Sequence, residues 1–117
     1  MHILIDGYNV LKQMLTADQV SLPQRRAFTN MLGKYAAKKN HTITVVFDGG
    51  PDTWPRKERD HGITILYSGT KQTADDVIKK LLLEKKHGVL LISSDNELKA
   101  RAAQQGIDSM NADDFYT

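Results

Sequence analysis

The chain has no cysteine, which removes disulfides, thiolate metal sites and thiol nucleophiles and is compatible with a reducing compartment. It has no apolar run near the ~20 residues that cross a bilayer. It does not open on a basic segment followed by a long apolar stretch, so no secretory leader is expected. These absences lead to the expectation of a soluble, cytoplasmic protein with no membrane partner. A large excess of either charge is also missing. With 16 basic and 14 acidic residues the formal net charge is +2, which neither requires nor excludes nucleic acid. Gly7 and Gly49-Gly50 belong to neither a GxGxxG nor a Walker A sequence, so no phosphate-binding glycine loop is indicated. No repeat, low-complexity tract or linker divides the 117 residues, which are read as a single domain, 1–117.

What is present is an alternation of strand-like and helix-like segments. His2 to Ile5 reads as a short buried strand, and Asn9 to Leu15 as a short helix. Ser21-Leu22-Pro23-Gln24 has the form of a helix start with Ser21 as cap. Ala27, Phe28, Met31, Leu32 and Tyr35 then recur at helical spacing as one apolar face. Thr42 to Phe47 is a β-branched, apolar strand, broken by Asp48-Gly49-Gly50-Pro51. Asp52 to Gly62 is polar and basic around Trp54 and reads as a loop. Ile63 to Tyr67 is a third strand. Thr73-Ala74-Asp75-Asp76 opens a helix buried through Val77, Ile78, Leu81 and Leu82. Val89 to Ile92 is a fourth strand with no polar residue, as at the centre of a parallel sheet. Ser94-Asp95-Asn96-Glu97 starts a further helix with a capping-box pattern. Ile107 to Met110 reads as a short edge strand and Asn111 to Tyr116 as a last helical turn.

This order predicts an α/β fold with a central parallel sheet of roughly four to five strands and helices on both faces. Right-handed crossovers place every strand-to-helix loop on one edge. Asp6, Asp48 and Asp95 each follow a strand, and Asp75 opens a helix fed from that edge. Gathered carboxylates repel one another, which a divalent cation relieves. Oxygen ligands without His or Cys favour Mg²⁺ or Mn²⁺, ions that activate water and stabilise charge on a phosphodiester. Asp6, Asp75 and Asp95 are the first candidates for metal, with Asp48 and Asp76 next. Asn9 offers a neutral oxygen or orients Asp6, and Ser93 or Ser94 serves behind the ligands or toward phosphate. Each acid also has a plain structural reading: Asp6-Gly7 and Asp48-Gly49 as turns, and Asp75, Asp76 and Asp95 as helix-start acids. Their coincidence on one edge favours a site.

Basic residues cluster at Arg25-Arg26, Lys38-Lys39, Arg56-Lys57-Arg59, Lys79-Lys80 and Lys85-Lys86, each readable as a solvated face or as a phosphate grip. Tyr8 beside the acidic turn either stacks on a base or fills a gap. Trp54, among Arg56, Lys57 and Arg59, is either a nucleic-acid-stacking residue or a hydrophobic anchor for its loop. His2, His41 and His87 precede strands on the opposite edge and receive no chemistry.

Leu4-Ile5-Asp6-Gly7-Tyr8-Asn9, Val45-Val46-Phe47-Asp48, Thr73-Ala74-Asp75-Asp76-Val77-Ile78 and Ser93-Ser94-Asp95, in that order, resemble the YacP-like group of NYN domains in the PIN-like nuclease superfamily. The resemblance spans Ile3 to Met110. It implies a PIN-like three-layer sandwich with a metal-dependent acidic site. The implied activity is endonucleolytic hydrolysis of RNA phosphodiesters by a metal-activated water, with Mg²⁺ or Mn²⁺ as cofactor and RNA, and also the ribosome, as partner. Residue by residue, Asp6 resembles the first-strand metal ligand, Asn9 the motif's asparagine, Asp75 the TAD-motif acid and Asp95 the acid after the fourth strand. Asp48 matches an acid farther from the metal, Asp76 ranks below Asp75, and Arg26 resembles a basic position that approaches substrate. Arg26, Ser94, Tyr8, Arg56 and Lys57 are therefore the candidate substrate contacts. The alternative is a non-catalytic RNA- or ribosome-binding module on the same fold, against which the bare carboxylates argue, since they repel phosphate. An aspartyl-phosphate phosphatase at Asp6 is disfavoured because Tyr8 stands where a second acid is needed.

Overall fold

The chain folds into one six-stranded sheet covered by helices. The computed structural model describes residues 2–7, 9–11, 22–49, 53–60, 62–84 and 88–115. The strands are β1 (His2–Asp6), β2 (Thr42–Phe47), β3 (Arg56–Asp60), β4 (Ile63–Tyr67), β5 (Val89–Ile92) and β6 (Asp108–Met110), in the sheet order β3-β4-β2-β1-β5-β6. The helices are α1 (Leu22–Lys39), α2 (Ala74–Glu84), α3 (Asn96–Gln104) and α4 (Ala112–Phe115). Residues 9–11 are helical. The rest of the helix expected to Leu15, the cap expected at Ser21 and the role expected of Tyr8 lie outside the described residues. No helix among the described residues is long and apolar enough to cross a membrane.

β1, β2, β4, β5 and β6 are mutually parallel, as the alternation of elements predicts. The sixth strand is a correction. β3 falls in the stretch read as a loop and pairs antiparallel with β4, so the sheet is mixed. Its sequence, Arg-Lys-Glu-Arg-Asp, has no apolar alternation to betray it. An edge strand needs only backbone pairing on one side, and charge on such a strand discourages pairing with other chains.

Successive side chains of a strand face opposite ways, and the two faces carry separate cores. Ile3, Ile5, Ile43, Val45 and Phe47 pack with Phe28, Leu32 and Ala36 of α1. Leu4, Val46 and Leu91 pack with Val77, Ile78 and Leu82 of α2 and Leu98 and Ala102 of α3. Helices on both faces make three layers. The buried stripe of α1 is narrower than its apolar spacing suggests: Met31 and Tyr35 are partly exposed, and Ala27 is exposed. α1 closes with Asn40 in the left-handed region at φ 56, and the His41 amide returns to the Ala36 carbonyl at 3.0 Å.

Parity decides where the acids go. Asp6 shares its face with Leu4, the side covered by α2 and α3. Gly7 then turns the chain where there is no room for a side chain. A Cβ there would lie 2.6 Å from Phe47 Cε1 and 2.9 Å from Val45 Cγ1. Gly7→Ala should therefore destabilise the fold by about 1–3 kcal/mol, the usual cost of overpacking a core. The check is the urea midpoint, and an unchanged midpoint would contradict it.

Candidate active site at the sheet switch point

β1 lies between β2, reached through α1, and β5, reached by the crossover through α2. The chain leaves β1 toward β2 on one side, while β5 on its other side is reached from β4, and in open α/β sheets ligands bind in the crevice at such a point. Asp6 ends β1 there. It is 8% exposed and lines a cleft of about 280 Å³ with Asp48, Thr73, Ala74 and Asp75.

Asp6 is held from the neighbouring strand. The Ser93 hydroxyl, fully buried just past β5, donates to Asp6 Oδ2 at 3.1 Å. The same hydroxyl accepts from the Asp95 amide at 3.1 Å. Asn9 Oδ1 accepts from the Ser94 amide at 2.8 Å, which ties the turn after β1 to the loop that follows β5. The Asn9 backbone also donates to the Asp6 carboxylate. Burial pushes the Asp6 carboxyl up to about 6, with the neighbouring Asp75 and Asp95 carboxylates adding to the rise and the Ser93 and Asn9 hydrogen bonds opposing it. Asp75 is raised as well, first by burial and then by Asp95, while Lys79 works the other way. Asp75 and Asp95 thus both act on the Asp6 carboxyl.

The remaining candidates sort by what they touch. Asp48 Oδ1 accepts from the Ser68 hydroxyl at 3.1 Å and from the Ala74 amide at 3.0 Å, so it fixes the head of α2 beside the cleft. Asp76 completes a capping box: its Oδ2 accepts from the Thr73 amide, and its own amide donates to Thr73 Oγ1, both at 3.1 Å. Asp95, not Ser94, caps α3, its Oδ1 accepting from the Glu97 amide at 2.9 Å and the Leu98 amide at 3.2 Å. The Ser94 hydroxyl accepts from the Ala112 amide at 3.0 Å. Arg26 is exposed on α1, which packs on the other face of the sheet. Its neighbour Arg25 is the one whose guanidinium lies over the Phe47 ring, 5.8 Å from the centroid. Arg56 and Lys57 are exposed on β3, Arg56 paired with Glu58 at 3.2 Å.

Ser68 is the participant that sequence reasoning missed. It is fully buried, and besides serving Asp48 it accepts from the Gly49 amide at 2.8 Å. Its only signal is its place immediately after β4, matching Asp48 after β2.

Among the described residues no three His or carboxylate side chains form a ready-made metal cage. Mg²⁺ ordinarily takes one or two carboxylates and keeps several waters. Asp6 and Asp75, two oxygen donors lining one cleft, suit that demand.

A largely parallel sheet between helical layers, with acids gathered at the β1–β5 crevice, defines the PIN-like α/β class. The chain belongs to the YacP-like NYN domain family, whose model matches residues 3–117. Among solved structures it is similar to a crystallised mutant of Rae1 (YacP) from Bacillus subtilis, with a TM-score of 0.78, 20% identity, and coverage of 98% of this chain and 71% of that one. At that identity the likeness shows the fold. A search of curated proteins finds no match. NYN domains belong to a nuclease superfamily, so membership supports a nuclease-like, RNA-related function.

The raised Asp6 carboxyl fixes a stability test. Its ordinary value is 3.8 and its folded value about 6, so the folded state holds the proton more tightly. The stabilisation is complete below about pH 4 and is lost as pH rises through about 6. Asp6→Asn, which never ionises, should be about 3 kcal/mol more stable than the parent above pH 7 in chelator, with the gap closing near pH 4. Urea titrations at both pH values check this, and a pH-independent difference would contradict it.

Proposed function

We propose that this domain is a divalent-metal-dependent ribonuclease that hydrolyses RNA phosphodiester bonds endonucleolytically. The observation that carries the reading is the buried Asp6 carboxyl at the switch point, raised to about 6 beside Asp75 and Asp95. A carboxylate placed at such cost against like charges is a functional-site signature. Asp6 and Asp75 would hold Mg²⁺ or Mn²⁺, with Asp95 adding negative charge. When bound, such an ion stabilises charge on the phosphodiester and lowers the pKa of the attacking water.

The chain's own residues do the positioning. Ser93 orients Asp6, and Asn9 keeps the β1 turn against the loop that leads to Asp95. Asp48 and Ser68 hold the first turn of α2, and with it Asp75, at the cleft wall. Asp76 stiffens that turn from its exposed side. Arg56 and Lys57 supply positive charge along the same edge of the sheet for the RNA backbone.

Asp6→Asn should keep the fold and lose Mn²⁺-stimulated RNA cleavage by a hundred- to a thousand-fold or so, the scale of several kcal/mol of metal-derived stabilisation. The check is cleavage of a labelled single-stranded RNA alongside calorimetric titration with Mn²⁺. Undiminished cleavage by the variant would overturn the reading. RNA binding by the parent with neither cleavage nor Mn²⁺ heat would make the domain a non-catalytic RNA-binding module.

A further inference from the structure

Trp54 is the one tryptophan of the chain. Tryptophan usually contributes large buried area to a core or an interface. Here it is 65% exposed and belongs to neither hydrophobic cluster, so it does not anchor its loop. Its backbone is nevertheless fixed. Gly69 has φ +81, and a Cβ there would lie 2.7 Å from the Thr53 carbonyl oxygen and 2.8 Å from the Trp54 carbonyl carbon and oxygen. The Lys71 amide donates to the Thr53 carbonyl at 3.1 Å, and the Gly69 amide to the Gly49 carbonyl at 2.7 Å. The turn that grips Thr53 and Trp54 is the one Ser68 ties to Asp48. An exposed indole is therefore carried on a fixed backbone continuous with the cleft wall.

Its setting is cationic. Lys71, Arg56 and Lys57 are exposed nearby in the chain or across the turn; the acids close in sequence are Asp52 and Glu58, the latter paired to Arg56. Arg56 is registered opposite Tyr67, the last residue of β4, so Trp54 lies on the same sheet edge as Asp6. With strands spaced about 4.8 Å, β4 and β3 stand roughly 10 and 14 Å from β1 across that edge.

We infer that Trp54 is a stacking platform for an unpaired base of single-stranded RNA, with Lys57 and Lys71 as phosphate contacts, beside the acidic cleft. The inference rests on the RNA-directed reading above. Every base has a π-face that an exposed aromatic can take, and flanking cations track the backbone. A duplex hides those faces.

Because the tryptophan is unique, its fluorescence reports the contact directly. In EDTA, where cleavage chemistry is silent, an unstructured RNA oligonucleotide should quench it saturably, and the same sequence as a duplex should not. Quenching should weaken as salt rises. By anisotropy of labelled RNA, Trp54→Ala should bind about 10-fold more weakly and Trp54→Phe should recover most of the loss. Quenching is read in EDTA and cleavage in Mn²⁺, so failure of the nuclease reading and failure of the stacking site are read separately. No quenching, equal quenching by duplex, or unchanged affinity of Trp54→Ala would overturn the inference. So would a blue shift on phosphatidylglycerol–phosphatidylcholine vesicles with no response to RNA, which would make the ring a lipid contact.

Discussion

The arrangement depends on one unfavourable placement: the Asp6 carboxylate at the inner end of a central strand, 8% exposed, with two further carboxylates close enough to raise its pKa. Nothing in the core requires an acid there. The surrounding structure is organised to keep it there and to leave its charge incompletely compensated. Ser93 contributes one hydrogen bond and Asn9 another, too little to return the carboxyl to its ordinary value. On the proposed reading, a cation entering the cleft would supply the rest.

The parity of β1 and β2 sends Asp6 to the face covered by α2 and α3, where the residues that answer it are found. Asp48 lines the cleft with Asp6 and also acts through the helix. By accepting from the Ala74 amide and the Ser68 hydroxyl it sets where α2 begins, and Asp75 is the next residue. The same Ser68–Gly69 turn clasps the loop bearing Trp54. One short turn after β4 thus couples the acidic cleft to the exposed edge of the sheet.

Much of this was legible in the sequence because it follows from local periodicity. The strands His2 to Ile5, Thr42 to Phe47, Ile63 to Tyr67 and Val89 to Ile92 are apolar runs, and a parallel sheet puts the acids that follow them on one edge. Thr73-Ala74-Asp75-Asp76 was legible as a helix start from its residue types alone. What escaped was decided at a distance. β3 is wholly charged and is a strand only because β4 offers it a backbone ladder. Ser94 looks like a cap, but the Ala112 amide, 18 residues away, takes its hydroxyl and leaves the cap to Asp95. Arg25 and Arg26 are equivalent as letters, and only the packing of α1 brings Arg25 over Phe47. Ser68 has no motif, since its role comes from two loops meeting.

The most direct test of the central claim is anomalous diffraction from crystals of this domain soaked in Mn²⁺. A peak between the Asp6 and Asp75 carboxylates, lost in Asp6→Asn, is the expected result. Occupied Mn²⁺ sites elsewhere on the surface, with none in this cleft, would contradict the account.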